Sequence, residues 1–151
     1  MVPMVYPEEL NWSNHNVGIP IVKIHLGSRE GDVEIMDELT REISDIIWIF
    51  PHMGCYGMWD NLETACRLAK ERENVYLDTS AFGPYYLLGK AVAWARIENI
   101  TFATDGHDFK PLVEKAKVEA LQLPTPFRIP RLTDEELDMI LGGNMARILG
   151  L

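Results

Sequence analysis

Four short runs rich in β-branched and aromatic residues punctuate the chain: residues 19–26 (IPIVKIHL), 45–50 (DIIWIF), 74–80 (NVYLDTS) and 99–105 (NITFATD). Their apolar positions are nearly continuous rather than alternating, as expected of strands covered on both faces, which favours a parallel sheet. Between them the period changes. Val33, Met36, Leu39 and Ile43 recur at helical spacing opposite Asp32, Glu38 and Glu42, predicting an amphipathic helix over 32–44. The same logic over 59–72 uses Leu62, Ala65, Cys66, Leu68 and Ala69, with Lys70 and Arg72 suiting the negative end of the helix dipole. A mostly apolar third helix is predicted over 85–97 and a fourth over 112–123. After prolines 124, 126 and 130, Thr133 and Glu136 form a T-x-x-E capping box that opens a helix over 133–141. Gly142 and Gly143 are expected to end that helix, and a last short one is expected over 145–149.

The order strand, helix, repeated four times with a period of about 25 to 30 residues, fits right-handed βαβ crossovers. No linker marks a second domain, so residues 1–151 are read as one unit. Two α/β architectures accept this pattern, an open doubly wound sheet and a barrel or part of one. A nucleotide-binding open sheet normally carries a glycine-rich phosphate loop after its first strand. The sequence H-L-G-S-R-E-G at 25–31 fits neither G-x-G-x-x-G nor the P-loop pattern. The expectation is a partial (β/α)8 TIM barrel of about four βα units.

Barrel enzymes gather reactive groups where strands end. Here the runs end at or beside His25, His52, the Asp78-Thr79-Ser80 triplet, and Asp105 with His107 just beyond. Two imidazoles and a carboxylate delivered to one rim suit zinc with an open position for water or substrate, and His52 or Asp105 could then move protons. A lone histidine at a strand end is more often a hydrogen-bonded structural residue, and Asp105 alone could cap the next segment. Their recurrence at equivalent positions of three repeats tips the balance towards a site. Asp78 is read as structural and His15 as loop surface. Tyr56, Met58 and Trp59 follow His52 on a rim loop and are candidate pocket residues, and His107 is either a spare ligand or substrate contact or a solvent-facing loop residue.

Composition narrows the partners. At 47% hydrophobic the chain can bury a sizeable core, and its net charge of -9 disfavours nucleic acid. Neither a membrane span nor a secretory signal is legible, which makes the cytoplasm the expected compartment. Cys55 and Cys66 lack the spacing of a disulfide framework or structural zinc site and are read as reduced thiols.

Five segments in order resemble the metal-dependent amidohydrolase superfamily: GIPIVKIHLG at 18–27, FPHMG at 50–54, NVYLDTS at 74–80, ITFATDG at 100–106 and NMARILGL at 144–151. The branch they resemble is amidohydrolase family 2, which includes decarboxylases related to aminocarboxymuconate-semialdehyde decarboxylase. The resemblance implies the C-terminal half of the barrel. It makes His25 a metal ligand on the fifth strand, His52 a ligand or catalytic histidine on the sixth, and Asp105 a ligand and proton-transfer group on the eighth. Where the family has Ser before this aspartate and Pro shortly after, this chain has Thr104 and Gly106-His107. The first-strand H-x-H pair of the family is absent from the sequence.

The implied activity is metal-dependent hydrolysis or decarboxylation of a small organic acid or amide, with zinc as the expected metal. The alternative is a non-catalytic half-barrel that serves assembly or binding. A half-barrel leaves sheet edges to be covered, so a homodimer or a complex with an N-terminal half is expected.

Overall fold

A computed structural model describes residues 20–26, 32–125 and 129–151. The expectations for His15, the glycine-containing segment 27–31 and Pro126 lie outside the described residues. Strands β1 (Ile21–Lys23), β2 (Ile47–Phe50), β3 (Val75–Asp78) and β4 (Ile100–Thr101) form one sheet, parallel throughout, in the order β1-β2-β3-β4. Helices α1 (Asp32–Glu42), α2 (Asn61–Glu71) and α3 (Tyr85–Trp94) connect consecutive strands, and α4 (Pro111–Glu119) follows β4. A doubly wound sheet reverses its strand order at a switch point; here none occurs, so crossovers of one hand place every connecting helix on the same face. This is an α/β sheet that matches part of a TIM barrel wall.

Alternation along the strands sorts their side chains by face. Val22, Trp48 and Val75 share one register row and point to the helices; Lys23, Ile49 and Tyr76 share the next and point away. The helix-side row joins the main core, where Trp48, Phe50, Leu77 and Ile100 pack with Met36, Leu62, Leu68 and Leu88. Trp48 also donates its indole N–H to the Ile43 carbonyl at 3.1 Å, which satisfies the one polar atom that its burial would strand. The strands are shorter than their apolar runs suggest. His25, His52 and Asp105 therefore stand just beyond strands β1, β2 and β4 rather than within them.

At the opposite, N-terminal end of the sheet an asparagine recurs. Asn74, immediately before β3, donates its amide to the carbonyls of Thr40, Ile43 and Ile46. Asn99, immediately before β4, donates to Arg72 and Val75, and Asn144 donates to Ile97 and Ile100. The first two amides thus tie the start of a strand to backbone acceptors of the preceding unit, and the third ties the last helix to the start of β4.

The C-terminal helices depart from expectation. The T-x-x-E box is present in full: Thr133 accepts from the Glu136 N–H, and Glu136 accepts from the Thr133 N–H. Gly142 and Gly143 do not end the helix it starts. Helix α5 (Asp134–Asp138) runs through a π-helical turn (Met139–Gly143) straight into α6 (Asn144–Leu149). Gly143 keeps right-handed helical angles, φ -58 and ψ -42, so its freedom to turn left is unused. In the π turn the Asn144 N–H bonds to Met139 instead of Ile140, and the released Ile140 carbonyl accepts the Phe102 N–H at 2.9 Å. The chain gives up a clean helix stop and gains an anchor on the segment that follows β4.

Candidate active site

The residues that turn the chain away from β2 adopt backbone angles that side-chain-bearing residues avoid. Pro51–Gly54 is a tight turn in which His52 has φ 57 and Met53 φ 56, both left-handed. Such a conformation costs about 1–2 kcal/mol per residue because Cβ crowds the following carbonyl oxygen. Gly54, at φ +73, completes the turn, and a Cβ there would lie 2.7 Å from the Ala65 Cβ, so no larger residue fits. Two further non-glycine residues are left-handed among the described ones, Ala81 beyond β3 and Asp105 beyond β4. All four outliers lie on the rim where the strands end. Strain of this kind persists only where surroundings over-determine it, and it concentrates at functional sites.

Buried carboxylates supply part of that over-determination. Asp78, the last residue of β3 and only 1% exposed, accepts through Oδ1 the His52 N–H at 3.3 Å, the Ser80 N–H at 2.9 Å and the Ser80 hydroxyl. Lys23 Nζ lies 2.6 Å from Oδ2, a charge contact rather than a well-directed hydrogen bond. Glu114 of α4, also buried, accepts the N–H of left-handed Ala81 at 3.0 Å and is paired with Lys117 at 2.7 Å.

The imidazole of His52 is 4% exposed, and its Nδ1 stands 2.8 Å from the Ser80 carbonyl oxygen. A carbonyl can only accept, so Nδ1 carries a proton, and whenever the ring is neutral its lone pair lies on Nε2. The His25 ring lies edge-on to it, with centroids 4.9 Å apart, and the Tyr56 ring stands 4.8 Å from His52 and 5.1 Å from His25. Burial, followed by the proximity of His52, lowers the pKa of His25 below the ordinary imidazole value, while Asp105 and Asp32 pull it upwards. A lowered pKa favours the neutral ring of His25 at pH 7.

The other candidates are placed differently. Asp105 influences His25 electrostatically and is exposed on its left-handed turn. Trp59 packs edge-on against Phe82 at 5.5 Å, at the end of the neighbouring unit. His107 projects into solvent, 92% exposed, with Nε2 3.9 Å from Asp108 Oδ1. Among the described residues no three His, Cys, Asp or Glu side chains are grouped so that they could hold a metal ion. His25 and His52 are therefore brought together at the rim without a third such side chain grouped with them among the described residues. Cys55 and Cys66 are both buried, and burial pushes each thiol up to about 12. Among the described residues no helix is long and apolar enough to cross a membrane.

Sequence reasoning missed Asp78 and Ser80 as the groups that position His52. The signal available was three adjacent polar residues closing an apolar strand; what they bond to lies in another repeat.

Comparison with known proteins identifies the family and the fold. The amidohydrolase family model matches residues 10–151, and the chain belongs to that family. Among solved structures, 2,6-dihydroxybenzoate decarboxylase complexed with 2,6-dihydroxybenzoate superposes with a TM-score of 0.61 at 15% identity, over 97% of this chain and 56% of that one. A dihydroxybenzoic acid decarboxylase from Polaromonas sp. JS666, with bound manganese and the inhibitor 2-nitroresorcinol, gives 0.55 at 16% identity, over 99% of this chain and 48% of that one. The chain therefore spans about half the length of these neighbours. A search of curated proteins returns no match.

Proposed function

We propose that the rim carrying His25, His52 and Asp105 is part of the active site of a divalent-metal-dependent enzyme that decarboxylates a small organic acid. The single observation that carries this reading is the meeting of two imidazoles and a tyrosine at adjacent ends of parallel strands, with His52 locked so that Nε2 is the free nitrogen. The neighbours favour decarboxylation over amide hydrolysis, and a hydroxylated aromatic acid as the substrate class. Breaking the bond to the departing carboxylate leaves an electron pair on carbon, which must take up a proton. That proton comes from water or the substrate's own acid group and is relayed by Asp105 or by His52 Nε2, which must take it up first, and Tyr56, set at an angle to both histidines and 48% exposed, walls the pocket. A bound divalent ion would supply charge stabilisation for the anionic substrate.

His25 is the proposed ligand from this chain, joined by His52 where it does not relay the proton and by Asp105 once its turn is drawn to the two histidines, with zinc or manganese as the metal and further donors drawn from beyond the described residues. Among the described residues β1 and β4 each pair on one side only. We propose that these edges are closed by more strands of the same kind, from a second copy arranged as a two-fold barrel or from a separate N-terminal half. Elemental analysis after loading with Mn2+ or Zn2+ and gel filtration tests the metal. Bound metal that disappears in His25→Ala, together with CO2 release from a dihydroxybenzoate, is the expected result. No metal at any loading and no binding of 2-nitroresorcinol would instead favour a non-catalytic assembly module, the reading to which the incomplete ligand set points.

A further inference from the structure

Asp78 makes its contacts below the rim, yet it gathers the groups that determine how His52 is presented. One oxygen accepts the backbone N–H of His52 at 3.3 Å and that of Ser80 at 2.9 Å, so a single carboxylate spans the turns that leave β2 and β3. With those turns joined, the Ser80 carbonyl lies 2.8 Å from His52 Nδ1. The Ser80 hydroxyl, whose proton goes to Asp78, turns a lone pair to the same nitrogen at 3.3 Å. Both oxygens of Ser80 therefore act as acceptors towards Nδ1. Lys23, on the first strand of the sheet, supplies the counter-charge to a carboxylate that is otherwise buried.

We propose that Asp78 is a positioning residue for the rim chemistry: by bridging the His52 and Ser80 backbones it holds His52 in its left-handed turn and in the Nδ1-protonated tautomer, which offers Nε2 to the site. The proposal rests on the reading of His52 as a working group at this rim. It requires no particular metal or substrate. An imidazole released from such a bracket is free to carry its proton on Nε2 as well as on Nδ1, because no acceptor then holds it at Nδ1. In other sites, groups that orient a ligating or reacting histidine change affinity or activity by about 10–100-fold when removed.

The test is long-range 1H–15N correlation NMR on the full chain labelled at histidine, at a pH high enough for the rings to be neutral. The wild type should show His52 with a protonated Nδ1 and a pyridine-type Nε2. Asp78→Ala should add a population protonated at Nε2, whereas Asp78→Asn, whose amide oxygen can still accept both N–H groups, should restore the wild-type pattern. In an assembly that turns over substrate, Asp78→Ala should lower kcat by about 10–100-fold and change KM by less than about twofold. A folded Asp78→Ala protein that keeps the single Nδ1-protonated form overturns the proposal. If Asp78→Ala does not fold, Asp78→Ser, which cannot span both amides, is read by the same criterion. A protein that shows the expected tautomers but neither metal nor turnover under any loading sinks the functional reading and leaves the bracket intact, so the two failures are separable.

Discussion

At the scale of single residues, the rim is held by interactions that oppose local preference. Ala81, at φ 49, is left-handed without the freedom of glycine, and the Glu114 carboxylate accepts its N–H. Ala81→Gly should remove about 1–2 kcal/mol of strain against a flexibility cost of about 0.5–1 kcal/mol. A net gain on the order of 0.5–1 kcal/mol is expected, read as a higher urea midpoint at unchanged slope. The thiols test burial directly. With both raised from 9.0 to about 12, neither Cys55 nor Cys66 should react with a disulfide reagent at neutral pH unless the chain is unfolded. The sign for stability follows. Between pH 9 and 12 the folded thiols hold protons that unfolded ones have lost, so stability should be complete below pH 9 and fall as pH rises through that window. Urea titrations across it, compared with Cys55→Ala, check the trend.

At the scale of elements, Asn144 bonds the carbonyls of Ile97 and Ile100, and its side chain is replaced by nothing if truncated. Asn144→Ala should destabilise by about 1–3 kcal/mol, the cost of leaving a buried polar group unpaired. Thr133→Ala, which removes only an exposed helix cap, should cost about 1 kcal/mol, and paired denaturation curves would rank them. The strands and connecting helices were legible because hydrophobic period is a local property: β-branched runs marked all four strands, and Val33, Met36 and Leu39 marked the buried face of α1. Strand ends were not legible. Whether a run continues to His52 or turns at Pro51 depends on a carboxylate 26 residues away in sequence, Asp78, to which no local pattern points. The glycine pair misled for a related reason. Gly142 and Gly143 resemble a helix stop, but the bond from Phe102 to Ile140 and the clamp of Asn144 carry the chain onward. His25 and His52 were recognisable as candidates by position, while their separation and the state of the His52 ring follow only from packing across strands.

At the scale of the whole molecule, the sheet is covered by helices on one face and presents Lys23, Ile49 and Tyr76 on the other. If more strands close this wall, light scattering should report a mass above that of one chain, or of one chain with its complement. A charged substitution at Ile21 on the β1 edge should shift that assembly towards monomer. Hydrogen bonding also ties the C-terminal helices to the segment that leads to the rim. Phe102 lies between β4 and Asp105, and its N–H is held by Ile140 of the π turn. A protein ending at Asp138 would retain His25, His52 and Asp105 in its sequence, but the arm that carries Asp105 would have lost its tether. The last thirteen residues thus act at a distance, as ballast for the arm that carries Asp105, and because they also supply the buried Ile140 and the Asn144 clamp on β4, removing them should loosen the rim and the end of the sheet together.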